Sequence, residues 1–269
     1  MHDDADATFS GAVPDHYDRG LGPVIFADYA TDIARRAALS PPARVLEIAA
    51  GTGIVTRELR DRLPDSTHLT ATDLNPPMLD VARAKFRAGE QVHFQPADAT
   101  ALPFADGEFD AVVCQFGVMF FPDKNQAFRE VRRVLAPKGR YLFSVWDSRA
   151  HNPFSRIAHD TIARFFPADP PQFYDVPFGY HLIDPAKEAL LDAGFTQLHV
   201  SVLRLETRVA NVELFARGLV HGSPVIEQLR SRGMVDANPV SDALARELRS
   251  ELGIDDRPLQ MQGIVFDVA

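Results

Sequence analysis

Between Arg44 and Trp146, short apolar runs alternate with stretches of helical spacing, and that rhythm limits the chain to one broad architecture. Residues 44–49, 68–72, 91–95, 109–116 and 140–146 read as strands, the first so apolar that it suits a strand covered on both faces. Residues 54–63, residues 76–88 and a stretch opened by Asp123 and carrying Phe128, Val131 and Leu135 read as helices. Asn75 is positioned to cap the second helix, Pro76 and Pro77 suit its first turn, and Gly89 suits its end. Gly139 marks a stop before the fifth strand. Strands and helices in this alternation build a parallel sheet with helices on both faces, and ligands then bind beyond the carboxyl ends of the strands.

The flanking sequence adds to this core, which spans residues 41–146. Residues 1–40 read as an N-terminal helical segment with Ile25, Tyr29, Ile33 and Ala37 on one face, stopped by Pro41 and Pro42. Residues 147–183 break the rhythm and carry Phe154, Phe165, Phe166, Phe173, Tyr174, Phe178 and Tyr180, the composition of a cap. The core resumes over residues 184–210, with a helix ending at Gly194 and a strand at 197–206. A second helical insertion at 211–258 precedes a last strand in 259–269. The fold expected is α/β: a doubly wound, mostly parallel seven-stranded sheet with helical cap insertions.

A formal net charge of −9 leaves no basic field to displace counterions from a nucleic-acid backbone, so nucleic-acid partners are not expected. The apolar run at 111–121 is too short to span a bilayer, and no membrane insertion is expected. The acidic start, residues 1–6, lacks the basic and apolar regions of a secretory signal, which points to the cytoplasm. The one cysteine, Cys114, lies in an apolar run and reads as core packing. The nine histidines are scattered without a metal-ligand pattern, so no metal is expected.

The chemistry concentrates at strand ends. The first strand runs into Ala49-Ala50-Gly51-Thr52-Gly53, a turn whose glycines let backbone approach a ligand. Glu47 places a carboxylate beside it, to meet a ligand ammonium or a neighbouring arginine. Asp73 ends the second strand at the spacing from the glycine turn at which an acidic residue accepts hydrogen bonds from a ribose diol, which implies a nucleoside ligand. Its other use is to cap the next helix. Asp98 follows the third strand, either to accept from an exocyclic purine amine or to form a loop turn.

Four segments in this order resemble the class I S-adenosylmethionine-dependent methyltransferases, particularly the ubiquinone/menaquinone and type 11 groups. They are VLEIAAGTG (45–53), TATDLNPPML (70–79), QPADATALPFADGEFDAVVCQF (95–116) and VRRVLAPKGRYLFSVW (131–146). The resemblance implies the Rossmann-like methyltransferase fold and S-adenosylmethionine as cofactor. It implies that Gly51 and Gly53 lie under the methionine part and that Asp73 holds the ribose. It further implies Leu74 and Met78 beside ribose and adenine, Asp98 and Ala99 reading adenine, and Cys114-Gln115 meeting the amino group. The family usually has glycine where Ala49 stands. AVPDHYDRGLGP (12–23) resembles the family's N-terminal segment, in which an aromatic such as Tyr17 covers the sulfonium.

A dehydrogenase fingerprint needs a further glycine, and counting on from Gly51 and Gly53 that position is Thr56. The readings kept are methyl transfer to a small-molecule acceptor, flat or apolar to judge by the cap aromatics, and cofactor binding on the same fold without methyl transfer. If the acceptor needs a base, the candidates are Tyr17 and His16, then His151, His181 and His221.

Overall fold

The computed structural model describes Phe9 and residues 11–269; the acidic start at residues 1–6 lies outside the described residues. Strands β1 (Arg44–Glu47), β2 (His68–Asp73), β3 (Val92–Pro96), β4 (Phe109–Gln115), β5 (Leu135–Trp146), β6 (Leu198–Thr207) and β7 (Leu259–Val268) form one sheet in the order β3-β2-β1-β4-β5-β7-β6. The first five pair in parallel, and β7 lies antiparallel between β5 and β6. Val45, Leu46, Val112, Val113, Leu142 and Phe143 of the central strands are fully buried, as strands covered on both faces require.

The helices are α1 (Val13–His16), α2 (Ala27–Ala38), α3 (Ile54–Arg62), α4 (Pro76–Arg83), α5 (Lys124–Val134), α6 (Pro153–Ala163), α7 (Asp175–Gly179), α8 (Ile183–Asp192), α9 (Val212–His221), α10 (Val225–Ser231) and α11 (Asn238–Leu252). Between α1 and α2 the backbone takes the wider π-helical turn over Tyr17–Phe26, with Pro23 inside. Ile25, Tyr29, Ile33 and Ala37 are buried along this N-terminal arm, and α2 packs on α3, β4 and β5. α9 crosses the π-helical stretch backbone against backbone: a Cβ on Gly218 would lie 2.8 Å from the carbonyl carbon of Gly20.

Three local expectations need correction. The helix from Pro76 ends at Arg83 rather than running to residue 88, because the chain turns back to set Phe86 edge-on to Phe94 and under the Arg57 guanidinium; Gly89, at φ +98°, sits in a later turn. Leu135 belongs to β5, opposite Phe109, and Gly139 lies within a register shift that takes up Lys138 at φ +70°. Asn75 stands at the start of α4 without capping it by its side chain; its Oδ1 accepts the Phe9 N–H at 3.1 Å. Asp123 does cap α5, accepting from the Gln126 N–H at 2.8 Å.

The helix that follows the glycine turn is locked at its far end by one buried guanidinium. Arg60 donates to the carbonyls of Thr67 (3.0 Å), Gln91 (3.3 Å), Leu63 (3.0 Å) and Pro64, tying α3 to the starts of β2 and β3. Arg60→Met keeps the apolar stem and strands those carbonyls, so it should cost about 3 kcal/mol in urea unfolding. A loss under about 0.5 kcal/mol, the level of an ordinary surface change, would show that water replaces the guanidinium.

Candidate active site

The strand order reverses between β1 and β4, and beyond their carboxyl ends a crevice opens. Glu47 ends β1 and Gln115 ends β4. The residues just after both, Ala49 at φ +53° and Phe116 at φ +52°, hold left-handed backbone that costs a residue with a side chain about 1–3 kcal/mol. Ala49 is accommodated because Gly117 faces it: a Cβ on Gly117 would lie 2.4 Å from the Ala49 Cβ. The alanine that departs from the family glycine is thus fitted by a glycine across the crevice. Gly51 and Gly53 are left-handed as well, at φ +55° and +78°.

Asp73 pins this turn to β2. Its Oδ2 accepts the Gly51 N–H at 2.8 Å, and its Oδ1 accepts the Asn75 N–H at 2.8 Å and the Asn75 amide at 3.3 Å. Burial raises its carboxyl above the usual range, against the lowering effect of the Asn75 and Gly51 N–H groups. One oxygen therefore keeps room for a further donor, while the other is taken up by the start of α4.

Glu47, Thr52 and Gln115 line a polar recess of about 30 Å³ beside the glycine turn. Glu47 Oε2, Thr52 Oγ1 and Gln115 Oε1 are buried without a hydrogen-bond partner among the described residues. The Gln115 amide is held by donating to the Phe26 carbonyl at 3.2 Å, which turns its oxygen inward. Among the described residues no arginine pairs with Glu47. Burial pushes its carboxyl up to about 8, with the Asp73 charge adding to this; the Thr56 hydroxyl nearby opposes the rise but makes no well-formed hydrogen bond. Buried acceptors without donors suit a ligand group that brings several N–H donors.

A cavity of about 520 Å³ adjoins the recess, the size range of small-molecule sites. Ala49, Gly51, Asp73, Leu74, Met78, Asp98, Ala99 and Gln115 all line it. Gly53 lines neither the recess nor the cavity and packs on α4, where a Cβ on it would lie 2.8 Å from the Ala82 Cβ. Met78 reaches the wall from α4, whereas Leu74 is 58% exposed and leaves apolar surface open there. Asp98 forms the loop turn, its Oδ1 accepting from Thr100 N–H and hydroxyl at 2.8 and 2.7 Å.

A third, aromatic pocket of about 70 Å³ lies deeper, between the N-terminal arm, the cap and α9. Phe116 stacks on Trp146 at 3.9 Å, and Phe154, Phe173, Tyr174 and Phe178 of the cap line the same space. Tyr17 lines recess, cavity and aromatic pocket alike, stacked on Phe26 at 4.9 Å and edge-on to Phe9 at 5.9 Å. Burial, with Asp73 and Asp18 adding, pushes its phenol far up, so it keeps its proton at neutral pH and does not serve as a base. His16 faces His221 instead, with ring centroids 5.3 Å apart, and neither of them nor His151 or His181 lines any of the three spaces. Thr52, Phe9, Phe120 and Trp146 were not singled out from the sequence. Only Trp146 carried a signal, as a lone tryptophan ending a strand.

Residues 45–139 match the model of a methyltransferase domain family. Over 175 residues the chain is 30% identical to the ubiquinone/menaquinone biosynthesis C-methyltransferase UbiE of Shewanella frigidimarina, taking in 60% of this chain and 70% of that protein. The chain belongs to the class I S-adenosylmethionine-dependent methyltransferases, in the ubiquinone/menaquinone group. It is also 47% identical over 102 residues to the demethylmenaquinone methyltransferase of Thermus thermophilus, which covers 38% of this chain and 46% of that protein. The chain thus spans about half the length of that methyltransferase. A phosphoethanolamine N-methyltransferase of Haemonchus contortus, solved with S-adenosylmethionine, superposes with a TM-score of 0.60 at 18% identity, covering 95% of this chain and 56% of that one. That likeness is one of fold.

Glu47 gives this methyltransferase-family site a pH signature. Because the folded protein holds the Glu47 proton more tightly than an unfolded chain, whose carboxyl titrates near 4.5, the group's contribution to stability is complete below about pH 4.5. It is lost as pH rises through about 8. Relative to Glu47→Gln, ligand-free wild type should therefore lose stability across that window and level off above it. Denaturation curves that stay parallel for the two proteins across the window would contradict this burial effect.

Proposed function

We propose that this chain transfers a methyl group from S-adenosylmethionine to a small, largely apolar acceptor held in the aromatic pocket, acting in the cytoplasm without nucleic-acid partners. The observation that carries the reading is the set of buried acceptors, Glu47 Oε2 and Gln115 Oε1, waiting at the strand reversal without donors. An amino-acid ammonium fits them, and a nucleoside fits the cavity that begins beside them. Asp73 would take a ribose hydroxyl on its less committed oxygen. Leu74 and Met78 would flank the sugar and base, while the Asp98–Ala99 turn would face the base edge.

When bound, S-adenosylmethionine supplies a methyl group on a sulfonium, whose transfer leaves the bonding pair on sulfur and uses a pair from the acceptor for the new bond. The work of the protein is to hold the acceptor in line and keep water out. Tyr17, common to all three spaces, stands where the methyl donor would meet the acceptor, its ring offering a π-face to the sulfonium. Phe116 and Trp146 give the acceptor a flat wall. His16 has no part in this arrangement.

Asp73→Ala should weaken S-adenosylmethionine binding by tenfold to a hundredfold, roughly 1.5 to 3 kcal/mol for a charge-assisted hydrogen bond, in calorimetric titration. It should also lower stability by about 1–2 kcal/mol, because the Gly51 and Asn75 N–H groups lose their acceptor. Unchanged affinity in a folded mutant would leave Asp73 as a structural pin only.

A further inference from the structure

The far wall of the aromatic pocket carries a polar feature that holding the methyl donor does not use. Tyr174, in the cap, donates its hydroxyl proton to the Leu219 carbonyl at 2.9 Å, and Ser223 donates its own to the same carbonyl at 3.0 Å. One carbonyl in the last turn of α9 therefore occupies both protons. A hydroxyl has a single proton to give and lone pairs with which to accept. Among the described residues nothing donates to either oxygen, although Tyr174 and Ser223 are both about 5% exposed and both line the pocket. What remains on this wall is accepting capacity alone.

The rest of the pocket sharpens the selection. The described residues that line it include no Asp, Glu, Lys, Arg or His. A charged group placed there would lose its water without gaining a counter-ion, a cost of several kcal/mol. Set against Tyr174 and Ser223, an acceptor-only group such as an ether oxygen would meet two oxygens whose protons are already given to Leu219. A neutral group with its own O–H or N–H would satisfy an oxygen that is otherwise buried and under-used. The volume sets a limit too. At about 70 Å³ the pocket is smaller than the roughly 150 Å³ apolar cavity known to take benzene, so it receives one edge of a ring. The remainder would extend past Phe9, Tyr17, Phe116 and Phe120, which line the large cavity as well.

We infer that Ser223 and Tyr174 form the specificity anchor of the pocket, selecting a neutral, flat ligand group whose O–H or N–H donates to their oxygens. The inference rests on the proposed methyl transfer only for the name acceptor; the selection itself follows from the pocket. It adds to that reading a residue pair and a rule of charge and hydrogen-bond polarity.

Trp146, the one tryptophan of the chain, lines this pocket and reports on its occupancy. Its fluorescence can be titrated with phenol, with fluorobenzene as the isostere lacking a donor, and with benzoate as an anion of similar outline. No methyl donor is needed, so failure of S-adenosylmethionine to bind would overturn the proposed function and leave this titration standing. Wild type should bind phenol roughly threefold to tenfold more tightly than fluorobenzene, the yield of one net hydrogen bond, and benzoate most weakly. Ser223→Ala and Tyr174→Phe should each reduce the phenol preference while fluorobenzene affinity stays within about twofold. Fluorobenzene or benzoate binding as tightly as phenol would overturn the inference, as would no saturable phenol signal or a preference unchanged in both variants. Should a variant fail to fold, the three probes on wild type still decide.

Discussion

β1 and β4 are paired neighbours whose outgoing connections diverge, and the site depends on the crevice this reversal leaves. The connections from these neighbours leave in opposite directions and open a crevice beyond their carboxyl ends, with Glu47 ending one strand and Gln115 the other. Strain collects at the same place: Ala49 and Phe116 both adopt left-handed backbone just past the strand ends. Gly117 makes room for the first, and the Phe116 stack on Trp146 holds the second. Asp73 then fixes the turn by accepting the Gly51 N–H. Such strain persists only where the surroundings over-determine it, and here the surroundings are the walls of the crevice.

The aromatic pocket is built from parts distant in sequence. The N-terminal arm brings Tyr17 and Phe9, the cap brings Phe173, Tyr174 and Phe178, and α9 brings Leu219 and Ser223. Their meeting depends on the close crossing at Gly20 and Gly218, which lets α9 press the π-helical stretch over the crevice. The Gln115 amide ties the end of that stretch to β4 through the Phe26 carbonyl. The recess, the cavity and the aromatic pocket thus share one wall, and Tyr17 is in it.

Legibility from sequence followed the range of the interactions. The strands were readable because burial on two faces imposes unbroken apolar runs, and the last strand lies at Leu259–Val268, the run expected. That the glycine turn, Glu47, Asp73 and Gln115 meet at one crevice was readable because strand ends in this architecture converge at the strand reversal. What failed was set by contacts between distant segments. The helix after Pro76 stops early because Phe86 is drawn to Arg57 and Phe94. The β5 register shift depends on pairing with β4, which no local pattern records. The π-helical turn at Tyr17 separates it from His16, so neighbours in sequence serve different surroundings. Ser223 had no signal at all, since its meaning comes from sharing the Leu219 carbonyl with Tyr174.

The central claim is that the recess and cavity at the strand reversal hold a methyl donor and the adjoining aromatic pocket behind Tyr17 holds an acceptor. A crystal structure of the chain with S-adenosylhomocysteine tests it most directly. The account predicts the ligand's amino group between Glu47 and Gln115, its ribose at Asp73, and its sulfur at Tyr17 facing the Phe116–Trp146 wall. A ligand with its sulfur turned away from that wall, or bound elsewhere with Glu47 and Gln115 still unpartnered, would contradict it.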